Sequence, residues 1–373
     1  MPMRRRSLTL AFAIAAIAGV AAARPAMRAY EAMLVLAELV GRPVPAWADA
    51  RPKAARLAAS YERAGRRRQA DLYAADGRSR AGIVFVPGAV RDGKDDPRVV
   101  AFATSLARCG FAVLVPDIVA LRELRLLPDS AVDVDDALSW MESRSDLAPA
   151  GRLGVLTTSV GVGPALIAVL DDPSGRGVRF FVSIGGYYDL PRTLTYLTTG
   201  SYDAYGVTRR DLPNAYGKWI YALSNAARLQ DPAERAAFET LARRKLADPN
   251  ADVTAEIERL GPAGRAAYAY IVNQDPARAR ALLDEMPAYL RTDVDRLDLA
   301  VRDLKGVGAR FVLVHGRDDD MIPYGESVGL AAALPPSRAR LFVLNGFKHV
   351  ETESGLIDGF QLWRAIYALL AER

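Results

Sequence analysis

The sequence predicts an α/β fold, a mostly parallel sheet with helices on both faces. Short apolar runs recur along the chain, and stretches with helical spacing separate them. This alternation is typical of parallel sheets, whose strands are buried on both faces and are therefore apolar throughout. The chain has 373 residues, of which 51% are hydrophobic and 25% are charged, so it can form a sizeable globular core.

Each predicted strand is a short apolar run that ends at a turn signal. The first run ends in Val86-Pro87-Gly88, and the second ends in Pro116. Runs of this length, bounded by turn residues, favour buried strands over helices. In chain order, the predicted strands are 82–88, 111–116, 153–158, 179–184, 310–314 and 341–344.

The predicted helices lie between these runs. Pro97 suits the first turn of a helix over 97–107, and Gly110 suits its C-terminal cap. The helix at 130–143 carries several apolar residues, and the helix at 160–170 follows a strand directly. The last helix, 357–370, has apolar residues at helical spacing, namely Ile357, Phe360, Trp363, Ile366 and Leu370.

One long segment does not follow this alternation of strands and helices. Residues 191–304 contain no convincing strand pattern, and their helical patterns are rich in Ala, Arg, Leu and Tyr. We interpret this segment as a helical lid or cap inserted between two strands of the sheet. The predicted organisation is an N-terminal segment at 1–49, a core at 50–190 and 305–373, and the cap at 191–304.

The N-terminus has the pattern of a signal peptide or a membrane anchor. Arg4–Arg6 precede an uncharged, Ala-rich run over 7–23, and Ala21–Ala23 fits a cleavage site. If the run remains as a transmembrane helix, the arginines place the rest of the chain on the outer side of the membrane. We therefore expect an exported or membrane-anchored protein on the periplasmic side of a bacterial inner membrane. The alternative is a buried amphipathic N-terminal helix.

Composition excludes several classes of site. The formal net charge is +5, and arginine clusters such as Arg66–Arg68 are interpreted as solvated helix surface. No basic stripe is interleaved with aromatic residues, so no nucleic-acid partner is expected. Cys109 is the only cysteine, which excludes an internal disulfide and a cysteine metal site and favours a buried thiol. No metal and no cofactor are expected.

A candidate nucleophile lies where a predicted strand turns into a helix. The segment is Thr157-Thr158-Ser159-Val160-Gly161. A serine in such a sharp turn projects its hydroxyl above the sheet, and small residues are needed two positions to either side. Gly161 meets this requirement, whereas Thr157 occupies a position where glycine is usual.

Two further segments follow predicted strands in the second half of the chain. His315 begins a loop that carries three adjacent aspartates, 318–320, and Gly346-Phe347-Lys348-His349 follows the strand 341–344. His315 and His349 are the only histidines, so a histidine base has few candidates. The order serine, aspartate, histidine along the chain is that of one group of Ser-His-Asp hydrolases.

Together these segments resemble the α/β-hydrolase family over about 70–190 and 305–373. In the family, the catalytic aspartate follows the loop histidine by four residues and precedes a proline by four, a register that selects Asp319 with Pro323. The terminal motif Gly-x-x-His matches His349. The resemblance implies that Ser159 is the nucleophile, that His349 is the base and that Asp319 orients it; the nearest relatives are esterase-like or dienelactone-hydrolase-like.

The remaining site residues follow from these roles. The backbone N–H groups of Val160 and Ala89 are the expected oxyanion-hole donors. Asp117 and Asp189 are competing candidates for the acid, and His315 is expected to make a structural hydrogen bond. Five tyrosines are expected either to line the mouth of the site or to be core aromatics: Tyr187, Tyr188, Tyr196, Tyr202 and Tyr205.

Two functions from different classes remain. The first is a serine hydrolase, carboxylesterase-like, that acts on a small-molecule acyl substrate; the joint presence of the three triad residues favours it. The second is a non-catalytic protein of the same fold that binds a ligand or partner, and Thr157 favours it. A nucleotide-binding domain is disfavoured because Gly161-Val162-Gly163 lacks the lysine of a phosphate-binding loop.

Overall fold

The computed structural model describes residues 23–172, 177–348, 351–352 and 358–373. Its main sheet has eight strands, and two small two-stranded sheets lie outside it. The strands are β1 (Ala54–Arg63), β2 (Arg66–Ala75), β3 (Ala81–Val86), β4 (Phe111–Pro116), β5 (Leu153–Thr158), β6 (Phe180–Ile184), β7 (Ser201–Ala204), β8 (Val207–Arg210), β9 (Arg310–Gly316), β10 (Ala339–Leu344), β11 (Phe347–Lys348) and β12 (Glu351–Thr352).

The helices fall into the pattern expected of an α/β protein. The first, α1, covers 23–39 of the described residues. The others are α2 (Pro97–Arg108), α3 (Val119–Arg122), α4 (Ser130–Glu142), α5 (Val162–Leu170), α6 (Leu190–Thr199), α7 (Ala215–Ala226), α8 (Pro232–Ala247), α9 (Thr254–Glu258), α10 (Pro262–Ile271), α11 (Pro276–Glu285), α12 (Ala288–Leu297), α13 (Gly325–Ala333) and α14 (Gly359–Leu370).

The strand order of the main sheet is β1-β2-β4-β3-β5-β6-β9-β10. The six strands from β4 to β10 run parallel, and β2 pairs antiparallel with both β1 and β4. Strands β3 and β4 are buried along their whole length, as parallel strands covered on both faces must be. One face of the sheet packs on α4 and α5, and the other packs on α2 and α14. The predicted fold class is confirmed.

The hairpin β1–β2 is absent from the sequence prediction, which assigned Arg66–Arg68 to a helix surface. That assignment is wrong, because these arginines begin β2. Arg66 and Arg68 reach across to α4, where both donate hydrogen bonds to the buried carboxylate of Asp136 at 2.9–3.1 Å. The turn, Ala64-Gly65, has positive φ at both positions, which suits a tight hairpin. Charged residues at exposed strand positions obscure the alternation of apolar and polar residues that indicates a strand.

The chain between the neighbouring strands β6 and β9, residues 185–309, is called the β6–β9 connection. It carries helices α6 to α12. The expectation that 191–304 contains no strand is wrong, since β7 and β8 form a hairpin there. Both strands have four residues, and β8 is exposed throughout. Short, solvent-facing strands carry no apolar run, which is why the pattern missed them.

The two ends of the β6–β9 connection meet. The Leu299 N–H donates to the Tyr188 carbonyl at 3.1 Å. The Tyr187 hydroxyl donates to the Leu297 carbonyl at 3.0 Å, and the Leu190 N–H donates to the Asp298 carboxylate at 3.3 Å. These bonds close the connection into a loop at its base.

The predicted signal or anchor at 7–23 lies outside the described residues except for its last position. Helix α1 packs against α14, and the Trp363 indole N–H donates to the Ala29 carbonyl at 3.0 Å. Cys109 is buried as predicted, within hydrogen-bond range of Arg51. None of the helices in the described ranges is both long enough and apolar enough to cross a membrane.

Candidate active site

Ser159 lies at the end of β5, where the chain turns into α5. Its φ is +53°, in the left-handed region. Few residues other than glycine adopt this conformation, and such strain is retained mainly at functional sites. A short turn, Ser159–Gly161, leads directly into α5. The strand-to-helix turn predicted for Ser159 is therefore present, with the strained backbone that such a turn requires.

Gly161 explains how the turn accommodates Thr157. Thr157 is fully buried, and it pairs in register with Val86 on one side and Ser183 on the other. A Cβ on Gly161 would lie 2.8 Å from the Thr157 hydroxyl oxygen and 2.7 Å from the Pro87 carbonyl oxygen. The missing side chain at Gly161 thus leaves the space in which the threonine side chain fits, so the turn forms without glycine at position 157.

The loop after β3 packs directly against Ser159. The Gly88 N–H donates to the Thr158 hydroxyl at 3.0 Å, and a Cβ on Gly88 would lie 2.8 Å from the Ser159 Cβ. No acceptor for the Ala89 N–H is found among the described residues. Val160 lies in the first turn after Ser159, where backbone N–H groups have no partner within a helix. Both predicted oxyanion donors belong to residues that line the same cavity as Ser159.

Asp319 lies in the loop that follows β9, and it is 5% exposed. One carboxylate oxygen accepts hydrogen bonds from the Met321 and Ile322 N–H groups, both at 2.9 Å. The neighbouring Asp318 accepts a bond from the Gly346 N–H at 3.1 Å. The loop is therefore fixed both internally and to the turn that precedes β11.

Of the two histidines, the described residues include His315 but not His349. His315 is fully buried on β9, and its ring nitrogens lie 2.7 Å from the Ser327 hydroxyl and 2.8 Å from the Ile322 carbonyl. It makes the structural hydrogen bonds predicted for it. His349 follows β11 in the chain and lies outside the described residues. The strands on either side of it, β11 and β12, pair antiparallel.

The competing acids have other partners. Asp117 pairs with the Arg122 guanidinium at 3.1 Å. Asp189 caps α6, because its carboxylate accepts a hydrogen bond from the Arg192 N–H at 2.9 Å.

Glu326, a residue that the sequence did not single out, is buried in the first turn of α13. Its carboxylate accepts hydrogen bonds from the Tyr188 and Asp189 N–H groups at 3.0 and 2.7 Å. Burial raises the pKa of Glu326 to about 7. Glu326 thus joins α13, which follows the Asp319 loop, to the start of the β6–β9 connection. No sequence signal distinguishes it from an ordinary first-turn glutamate.

A cavity of about 1090 Å³ opens beside Ser159. Its wall is mostly apolar and includes side chains from α6, α7 and α12 of the β6–β9 connection. Tyr216 and Tyr221 line it, and none of the five tyrosines considered in the sequence is among its lining residues. Tyr187 and Tyr196 are instead fully buried core aromatics, in line with the second of the two expectations. Within the described ranges, no group of three or more His, Cys, Asp or Glu side chains could hold a metal ion.

No family model and no curated protein matches the sequence. The fold is similar to solved structures. A Legionella pneumophila protein assigned as a hydrolase aligns over 91% of this chain and 94% of its own, with a TM-score of 0.53 and 12% identity. An esterase from Pyrobaculum calidifontis covers 92% and 87% (TM-score 0.47, 16% identity), and a dienelactone hydrolase from Anabaena variabilis covers 86% and 96% (TM-score 0.43, 16% identity). The strand order, the strained serine turn and the likeness to the Legionella structure establish that this chain has the α/β-hydrolase fold.

Proposed function

We propose that the chain is a serine hydrolase that cleaves an ester-type acyl bond through an acyl-enzyme intermediate. Ser159 is the nucleophile, His349 is the base and Asp319 orients the histidine. The observation that carries the proposal is the left-handed conformation of Ser159 in a strand-to-helix turn on the wall of a mostly apolar cavity. Strain of this kind is retained where the exposed hydroxyl is used.

In this mechanism, His349 takes the proton from the Ser159 hydroxyl as its oxygen attacks the carbonyl carbon. The Val160 and Ala89 N–H groups stabilise the oxyanion that forms. The intermediate collapses, the imidazolium gives its proton to the leaving alcohol, and the acyl group remains on Ser159. Water, deprotonated by His349, then attacks the ester, and the acid product leaves with Ser159 regenerated.

The role of Asp319 is supported by its surroundings. Two backbone N–H groups hold one of its oxygens, so the carboxylate has little rotational freedom. A fixed, buried carboxylate can hold one tautomer of a histidine and stabilise the imidazolium that forms during the reaction.

The second candidate function is a non-catalytic binding protein of the same fold. The departure from glycine at Thr157 is the feature that favours it. The space left by Gly161 weakens that argument, because the turn forms with threonine in place. We therefore rank the hydrolase first.

The mostly apolar cavity wall suits an acyl group that is apolar or amphipathic. We propose that helices of the β6–β9 connection act as a lid over this substrate, since they supply part of the wall. We also propose export or membrane attachment through 7–23, on the basis of the sequence pattern alone.

The test is covalent labelling with a fluorophosphonate probe. We expect the wild type to be labelled once, and Ser159→Ala and His349→Ala to remain unlabelled. Ser183→Ala is the matched control, because Ser183 lies buried on the adjacent strand β6 and should not affect labelling. Failure of the folded wild type to react would contradict the hydrolase and favour the binding protein.

A further inference from the structure

Helix α1 presents an apolar stripe to the solvent. With about 3.6 residues per turn, four of its residues fall within about 120° of the helix circumference. These residues form the α1 stripe: Ala26, Met27, Tyr30 and Met33. The three larger side chains are 58%, 41% and 60% exposed, in chain order. Ala32 and Val35, on the opposite side of the helix, are buried in the core. The helix is therefore apolar on its exposed side as well as on its buried side.

Two exposed aromatic residues extend the α1 stripe. Trp47 is 89% exposed, and it lies beside the stripe because the carbonyl of the next residue, Ala48, accepts a hydrogen bond from the Tyr30 hydroxyl. Phe360 is 67% exposed and stacks on Trp363, the residue that bonds α14 to α1. The α1 stripe, Trp47 and Phe360 together are called the α1 surface. Large apolar side chains exposed together on adjacent elements mark an interaction surface.

The charged residues of α1 and its ends are distributed unequally between the protein body and the solvent. Glu31 and Glu38 both form ion pairs with arginines of the protein body. Arg24, in the first turn of α1, and Arg42, just after its end, are exposed, and neither has a carboxylate partner among the described residues. The acidic groups of the helix are therefore neutralised, and basic groups border the α1 surface at both ends.

Three occupants are compatible with an apolar face of this kind: the run over 7–22, a second copy of the chain, and a lipid bilayer. The position of the stripe favours the bilayer, because α1 begins where the uncharged run predicted to be a signal or anchor ends. The composition favours it too, since tryptophan and tyrosine are enriched where membrane meets water. Exposed arginines at both ends of the helix complement anionic headgroups.

We infer that the α1 surface rests on a bilayer that contains anionic lipids, with α1 lying along the membrane surface. The apolar face of such an interfacial helix lies roughly 5–10 Å into the boundary between headgroups and acyl chains. The contact belongs to the folded domain, so it goes beyond attachment through 7–23. It is also independent of the chemistry proposed for Ser159.

The experiment is tryptophan fluorescence of the full chain in vesicles of phosphatidylcholine and phosphatidylglycerol whose acyl chains are brominated near the headgroup. Bromine quenches a tryptophan that it contacts. We expect the emission of the wild type to be lower than in unbrominated vesicles, and Trp47→Phe to remove most of this difference. The chain has 4 tryptophans, so those that remain in the variant report the background.

A charged variant tests the α1 stripe itself. Met27→Asp/Met33→Asp places carboxylates at two exposed positions, and it should abolish the quenching of Trp47 without changing urea denaturation. Val132→Asp is the matched control, because Val132 is 41% exposed on α4, on the opposite face of the sheet. It should keep the quenching. Fluorophosphonate labelling should be the same in all of these variants, so a failure of the α1 surface is distinguishable from a failure of the hydrolase.

Flotation of the vesicles on a density gradient separates the α1 surface from attachment through 7–23. A chain that floats while Trp47 stays unquenched would refute the α1 surface and leave the attachment intact. A chain that does not float would refute both. Quenching that persists in Met27→Asp/Met33→Asp would also overturn the inference. A Trp47 that is protected from acrylamide in water, yet unquenched by brominated lipid, would show that 7–22 or a second copy covers the stripe instead.

Discussion

Replacing Gly88 with alanine tests how closely the loop after β3 must approach Ser159. The φ of Gly88 lies outside the left-handed region, so an alanine is allowed by the backbone. Its Cβ, however, would lie 2.8 Å from the Ser159 Cβ and 3.2 Å from the Thr158 carbonyl oxygen. Carbon atoms make ordinary contact at about 3.5–4.0 Å. The loop must therefore retreat by roughly 1 Å, and Ala89 moves with it.

A displacement of this size is expected to lower the rate of acylation about 100-fold. A 1 Å misplacement in an active site lowers the rate by about this factor, and loss of an oxyanion-hole donor lowers it by at least this factor. The free energy of unfolding should fall by about 1–3 kcal/mol, as in other overpacked sites. The assays are the second-order rate constant for fluorophosphonate labelling and urea denaturation.

Gly306→Ala is the control for the added methyl group, since a Cβ there would meet nothing within 4 Å. It should change neither the labelling rate nor the free energy of unfolding. If folded Gly88→Ala is labelled within about three-fold of the wild-type rate, the loop does not supply an oxyanion donor and the reasoning fails.

Three further predictions concern buried groups. Thr157→Val removes a buried hydroxyl with no partner among the described residues. It should leave the free energy of unfolding, measured by urea denaturation, unchanged or raise it by up to about 1 kcal/mol. A clear decrease in that free energy would show that the hydroxyl is hydrogen-bonded. Burial raises the pKa of Glu326 from 4.5 to about 7, so the folded state binds the proton more tightly and its stabilisation, complete below pH 4.5, is lost as the pH rises to 7. Glu326→Gln should reduce that loss by about 3 kcal/mol. The measurement is urea denaturation of both proteins at pH 4.5 and at pH 7.5. An equal decrease in the free energy of unfolding of the two proteins between these pH values would contradict the prediction. Burial also raises the pKa of the Cys109 thiol. An aromatic disulfide reagent should therefore react with one thiol per chain in denaturant and with none in the native protein. Rapid reaction of the native protein would show that Cys109 is not buried.

The sequence was sufficient for the parallel strands because each contains an apolar run, and β3 and β4 at the centre of the core are buried along their whole length. It was insufficient for β1 and β2, because β2 begins with arginines, two of which pair with the buried Asp136. That pairing joins residues about 70 positions apart in the chain, and no local pattern reports it. The hairpin β7–β8 could not be predicted because its strands have only four residues each and β8 is exposed throughout, so neither carries an apolar run.

At the candidate site, the sequence identified the turn at Ser159 because strand, serine and Gly161 are consecutive. It could not show why Thr157 is accommodated, since that depends on the space across the turn. The role of Asp319 stays a prediction that rests on the family register and on the fixed loop.

The closed base of the β6–β9 connection has a consequence for how this fold can change over evolutionary time. Because Tyr188 and Leu299 are already hydrogen-bonded to each other, the helices between them can lengthen, shorten or be exchanged without altering the order or register of the sheet strands. The entropic cost of a longer loop grows only slowly with its length. The part of the chain that lines one wall of the cavity can therefore diverge while the sheet that carries Ser159 stays the same.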